Sequence, residues 1–76
     1  MKEMLETIAK FLVEDPNSVV VNEIEGEQTI ILELRVAPED MGRVIGKQGR
    51  IAQAIRTLVK AAAIKANKRV NVEIIE

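Results

Sequence analysis

The sequence predicts a small α+β fold of order α-β-β-α-α-β, in which three helices cover one face of a three-stranded mixed sheet. Three observations carry that expectation. Apolar residues recur at helical spacing near the N-terminus and again after residue 50; two β-branched runs are separated by a short glycine-bearing connection; and a last alternating run closes the sequence. With 76 residues, 47% of them hydrophobic, there is material for one modest core and none for a second.

From Met1 to Glu14, the residues Met4, Leu5, Ile8, Phe11 and Leu12 form the apolar stripe of an amphipathic helix, with Glu3, Glu6 and Lys10 mostly off it. Asp15-Pro16-Asn17 stops that helix, because proline disfavours helical geometry in the residue before it. Val19-Val20-Val21 opens a strand that reaches Glu25, and Thr29 to Val36 forms a second. In the second strand Ile30, Leu32, Leu34 and Val36 share one face while Glu33 and Arg35 point the other way, which suits a sheet covered on one side only. Glu25-Gly26-Glu27-Gln28 joins the two as an antiparallel hairpin.

Ala37-Pro38-Glu39-Asp40 reads as a helix start, since proline is tolerated in the first turn and the acids complement the positive end of the helix dipole. This second helix is expected to be short, about two turns, and to end at Gly46. A third begins after Gly49 and runs to about Ala66. On it Ile51, Ala52, Ile55, Leu58, Val59, Ala62 and Ala66 fall on the arc that packs on the sheet, opposite Arg50, Gln53, Arg56, Thr57 and Lys60. Ile64 stands on the polar arc beside Lys60, flanked by Ala61 and Ala63. It is either an isolated exposed isoleucine of the kind most surfaces carry or the centre of a self-association or partner contact. Val70, Val72 and Ile74 alternate with Asn71, Glu73 and Ile75 in a closing strand, which a right-handed crossover sets parallel to the second.

Composition excludes most catalytic chemistry. With no cysteine and no histidine there is no disulfide framework, no thiol nucleophile, no imidazole base and no metal site of the commonest ligands. No catalytic residue, cofactor or metal ligand is assigned. The N-terminal MKEMLETIAKFL carries acids within its apolar pattern, unlike a signal peptide, and no apolar run approaches the length of a membrane span, so a soluble, cytoplasmic protein is expected.

Charge is the more informative property. The formal net charge of −1 conceals an asymmetry: residues 1–40 hold ten acids against three bases, whereas residues 41–69 hold eight bases and no acid. Those eight are Arg43, Lys47, Arg50, Arg56, Lys60, Lys65, Lys68 and Arg69, the electrostatic footprint that a polyanion needs. Within them lies GRVIGKQGRIAQAI, Gly42 to Ile55, where Gly46 and Gly49 bracket Lys47 and Gln48. A GxxG stretch between two helical segments can be a simple corner. It can also let the main chain approach a sugar-phosphate backbone, next to the positive end of the following helix.

The VIGKQG segment, Val44 to Gly49, resembles the signature of the KH domain, and the element order is that of the bacterial, type II KH fold. The likeness covers essentially residues 1–76 as one KH domain. It is most similar to the small stand-alone KH proteins of bacteria, the KhpA (YlqC) family, in APEDMGRVIGKQGR from Ala37 to Arg50 and the IAQAIRTLVKAAA that follows. The broader KH pattern often has a branched aliphatic three residues after the second glycine, where this sequence has Ala52.

The resemblance implies single-stranded RNA binding, in the role of an RNA chaperone or post-transcriptional regulator linked to cell division and cell shape. By that likeness Gly46, Lys47, Gln48 and Gly49 are the clamp. Val44, Ile45, Ala52 and Ile55 are groove or near-groove positions, and Arg43, Arg50, Gln53 and Arg56 stand beside them. It also implies a homodimer, or a heterodimer with a larger KH-containing protein of the KhpB type. Lys60, Ala61 and Ile64 are the residues expected at such a contact.

Two rival classes remain on the residues alone. A nucleotide-binding enzyme would need the GxxxxGK spacing followed by Ser or Thr, but three residues separate Gly42 from Gly46 and Gln48 follows Lys47. A protein-interaction module would use Ile64 and the alanine face of the long helix, with only weak nonspecific nucleic-acid binding. Aromatic base-stacking platforms are not expected, because Phe11 is the one aromatic residue. Single-stranded DNA shares the features that such a clamp contacts.

Overall fold

The first helix forms where the apolar spacing places it, but its buried face is narrower than the stripe. In the computed structural model, which describes residues 1–75 except for the side chains of Lys47 and Gln48, α1 spans Lys2–Leu12. Leu5 and Ala9 are buried and Met4 and Ile8 pack against the core, while Phe11 is 86% exposed and Leu12 lies at the surface. Helical geometry turns Phe11 about 120° away from Leu5, onto the side that carries Thr7 and Lys10. After α1, Pro16–Ser18 makes one 3-10 turn, and the Ser18 hydroxyl donates to Asp15 at 2.8 Å.

The sheet has the order β1-β2-β3, from β1 (Val20–Glu25), β2 (Thr29–Arg35) and β3 (Arg69–Ile75). β1 pairs antiparallel with β2 and β3 pairs parallel to it, so the sheet is mixed as expected. The Gly26 N–H donates to the Thr29 carbonyl at 2.8 Å and closes the hairpin around Glu27 and Gln28. A Cβ at Gly26 would stand 3.2 Å from that same carbonyl. On the covered face, Ile30, Leu32 and Leu34 of β2 are flanked by Val70 and Val72 of β3 and Val21 of β1. The same register puts Glu23 opposite Leu32 and Glu25 opposite Ile30, so both acids point toward the helices from the sheet's edge.

Helical hydrogen bonding runs from Pro38 to Ala66 in α2, past Gly46, where a shorter helix was expected to end. The reason lies in the two glycines. Gly46 keeps a right-handed conformation and lets the helix continue, whereas Gly49 stands at φ 68°, in the left-handed region, and turns it. A straight helix of 29 residues would be about 43 Å long, beyond the 35 Å longest extent of the molecule. α2 is therefore two arms joined at Gly49, and the order of elements is α-β-β-α-α-β.

The arm after Gly49 packs on the sheet through Ala52, Ile55, Val59 and Ala63, all buried. This arc is rotated from the expected one: Leu58 is half exposed and Ala66 is exposed, while Ala63 is in the core. Leu58 stands on the border of the buried arc, next to Ile55 and Val59 on the helix, and keeps about half of its surface in solvent. The helix ends at Asn67, at φ 58°, with the Asn67 N–H donating to the Ile64 carbonyl and the Lys68 N–H to the Ala63 carbonyl. Asparagine tolerates the left-handed conformation that this termination needs.

Candidate nucleic-acid interface

The arm before Gly49 is positioned by one buried acid. Asp40, 2% exposed, accepts the backbone N–H groups of Glu14 at 3.0 Å and Asp15 at 3.1 Å. It thereby ties the end of α1 to the start of α2 and satisfies two amides that no helical carbonyl reaches. Glu39 and Asp40 do lie in the first turn of α2, as the dipole argument expects, but the tie to α1 is a further role. Its sequence signal is that Asp40 precedes the core residue Val44 by one helical turn and so shares its face.

Arg43 follows Asp40 by three residues and reaches across the same junction. One of its terminal nitrogens donates to Glu14 Oε1 at 2.6 Å, and its Nε lies 4.0 Å from Asp40 Oδ1. Glu39, Gly42 and Arg43 of the first arm and Ile51 of the second border a depression of about 520 Å³ in the angle between the arms. The bend at Gly49 thus brings residues of the two arms to one concave surface.

At the GxxG stretch itself, the backbone of Lys47 and Gln48 is helical, and their side chains lie outside the described residues. A Cβ built on Gly46 or Gly49 would meet nothing within 4 Å among the described residues. Gly49 answers to its backbone angle. Gly46 answers to neither angle nor packing, so nothing described in the fold requires a glycine there.

The remaining expected site residues separate into surface and core. Ile45, 49% exposed, is the aliphatic side chain at the surface, and Arg50 and Gln53 are exposed beside it in sequence order. Val44, Ala52 and Ile55 are in the hydrophobic core, so they support the surface from beneath. Arg56 is half buried and its Nε donates to the Val72 carbonyl at 3.4 Å, on β3 at the sheet's edge.

At the far end of the basic segment, Lys68 donates to Glu25 Oε1 at 2.9 Å. The hydrogen bond and positive charge of Lys68 hold the Glu25 carboxyl below its ordinary pKa. Arg50, Lys60, Lys65 and Arg69 have no ion-pair partner among the described residues. Ile64 is 78% exposed, with Lys60 and Ala61 also exposed, and it borders a depression of about 550 Å³ shared with Gln28, Asn67, Lys68 and Arg69. Phe11, the lone aromatic, is on α1 with Lys10 and Thr7. Among the described residues no helix is long and apolar enough to cross a membrane, and no group of three or more acidic, histidine or cysteine side chains is arranged to hold a metal ion.

A family model for the KhpA/KhpB KH domain matches residues 2–74. The chain is 73% identical over 75 residues to the RNA-binding protein KhpA of Clostridium acetobutylicum, covering 99% of this chain and all of that protein. It is 53% identical over 76 residues to the RNA-binding protein KhpA of Aquifex aeolicus, covering all of this chain and 96% of that protein. Among solved structures, Era of Aquifex aeolicus bound to GDP and aluminium fluoride shares the fold, with a TM-score of 0.69 and 21% identity. That likeness covers 96% of this chain and 28% of Era, and it concerns the fold alone.

Proposed function

The chain belongs to the KhpA/KhpB family of KH domains, and on that premise we propose that it binds single-stranded RNA through the GxxG stretch of α2. One observation carries the reading. Gly46 sits at the surface of an acid-free basic segment, at a position where nothing described in the fold asks for a glycine. A glycine inside a helix costs about 0.5–1 kcal/mol relative to alanine, and close approach of a ligand's backbone is a reason to keep one. In this reading the main chain at Gly46 and Gly49, with Lys47 and Gln48, holds the sugar-phosphate backbone. Arg43, Arg50, Gln53 and Arg56 line its path, with Ile45 as the exposed aliphatic surface against the bases. The bases meet aliphatic side chains rather than rings, so affinity per domain is modest and strongly salt-dependent.

The wider proposal follows the family's name and composition: one KH domain over residues 1–76, no chemical step, and a role as a cytoplasmic RNA chaperone or post-transcriptional regulator. Assembly, as a homodimer or with a KhpB-type protein, uses the exposed Ile64 with Lys60 and Ala61. Two grooves in one particle then raise the effective concentration of the second contact.

The test is fluorescence-anisotropy binding of a short single-stranded RNA at two salt concentrations, comparing wild type with Lys47→Asp/Gln48→Asp after circular dichroism shows both folded. Loss of binding in the variant is expected. Equal binding by the two proteins means that the basic surface acts as a nonspecific polyanion site and the glycines make only a corner. Ile64→Tyr, followed by light scattering, is expected to change assembly and leave binding by the monomer intact. If Ile64→Tyr abolishes all ligand capture while the clamp variant does not, the protein-interaction reading takes its place.

A further inference from the structure

Arg43 and Glu14 belong to opposite sides of the charge boundary in this chain, 29 residues apart, yet the fold holds them in contact. The contact is built by the main chain. Asp40, buried one turn before Arg43, fixes the backbone amides of Glu14 and Asp15, so the helical turn that carries Arg43 also fixes where Glu14 begins. The Arg43 guanidinium then stands between two carboxylates, 2.6 Å from Glu14 Oε1 and 4.0 Å from Asp40 Oδ1.

The two acids differ in freedom. Asp40 is enclosed and engaged by two amides, whereas the Glu14 side chain is 77% exposed and makes one contact with Arg43. An exposed pair of this kind contributes little stability and exchanges readily. Arg43 borders the depression between the arms and lies one helical turn before Gly46, so a strand held at the GxxG passes within reach of the guanidinium. A carboxylate and a phosphate present the same pair of acceptor oxygens to an arginine fork.

We infer that Glu14 occupies the phosphate position at Arg43, so that RNA entering the site displaces the Glu14 carboxylate from the guanidinium. The inference rests on the RNA-binding reading above and deepens it. Glu14 is a positioning residue: it aligns Arg43 in the free protein and competes with the strand for it. Removing the Glu14 charge while keeping its main-chain amide leaves the tie to Asp40 in place and frees Arg43 for a phosphate.

The experiment is a double-mutant cycle on RNA binding by the full chain, with wild type, Glu14→Gln, Arg43→Gln and the double variant measured over a salt series. Glu14→Gln is expected to bind about two- to fivefold more tightly, the range spanned by exposed ion pairs. Its log–log salt slope should stay close to that of wild type, because Arg43 meets the same phosphate in both complexes, whereas the slope of Arg43→Gln should be shallower by about 0.7, the value for one phosphate of a single strand. Arg43→Gln should bind more weakly than wild type, and adding Glu14→Gln to it should change nothing.

Unchanged affinity in Glu14→Gln overturns the inference, as does a salt slope in Arg43→Gln equal to that of wild type. So does an equal gain in both backgrounds, because the acid would then act as a distant charge and not through Arg43. Thermal melts of all four proteins separate these outcomes from unfolding. If wild type binds no RNA, the functional reading fails and takes this inference with it; if wild type binds and the cycle shows no coupling, only the inference fails.

Discussion

The two arms of α2 are held in place by different physics. The arm after Gly49 is fixed by apolar burial, with Ala52, Ile55, Val59 and Ala63 at spacings of three and four residues against the sheet. The arm before it puts one fully buried apolar side chain, Val44, into the same core and relies on the carboxylate of Asp40 for its link to α1. A hydrophobic contact tolerates sliding, because it depends on area. A charge that accepts two backbone amides does not, because each bond has a direction. The arm that leads into the GxxG stretch is thus the one with the more exact placement.

That contrast can be broken at either anchor. The largest effect is expected from Ile55→Ala, which should cost about 3 kcal/mol in denaturant unfolding by loss of apolar burial and creation of a cavity. Asp40→Ala should cost about 2 kcal/mol, since the amides of Glu14 and Asp15 lose a charged acceptor. Limited proteolysis should then show earlier cleavage between α1 and β1 than in Ile55→Ala at matched stability. Similar cleavage in both would mean that the two anchors are not distinct.

At the junction of the arms, the glycines sharpen the same comparison. Gly49→Ala forces a left-handed conformation on a Cβ and should destabilise by about 1–2 kcal/mol, with Gly49→Asn milder. Gly46→Ala should do the reverse, stabilising by about 0.5–1 kcal/mol while weakening RNA binding. A destabilised Gly46→Ala, or one that binds as wild type does, would remove the argument from an unneeded glycine. The smallest effect belongs to Glu25. Its folded pKa is lowered by Lys68, so the pair stabilises above the carboxyl's unfolded pKa, and that contribution is lost as pH falls through the folded value. The acid limb of a stability–pH profile should therefore be slightly shallower in Glu25→Gln.

The second arm and the sheet were legible in the sequence because their signals are local and periodic. Alternation named the buried face of β2, and the 3.6-residue period named Ala52, Ile55 and Val59. The period did not reveal where the arc stops. Leu58 and Phe11 read as core from spacing alone, yet each keeps about half or more of its surface in solvent. The candidate site is marked in the sequence as a motif within a charge block. What remained hidden was how the acidic half engages it: the bonds from Glu14 and Asp15 to Asp40, and from Arg43 to Glu14, join residues 25 to 29 apart. No local pattern encodes a contact that exists only after α1 has packed beside α2.

The orientation of Glu23 and Glu25 at the outer strand has a consequence for behaviour at high concentration. An open strand edge is a template on which another chain can add, copy after copy. Here a strand laid along β1 would have to share its inner side with two carboxylates that the register turns toward the helices. On the opposite border, the Val72 carbonyl is already taken by Arg56. Both borders thus carry features that oppose growth of the sheet into fibres.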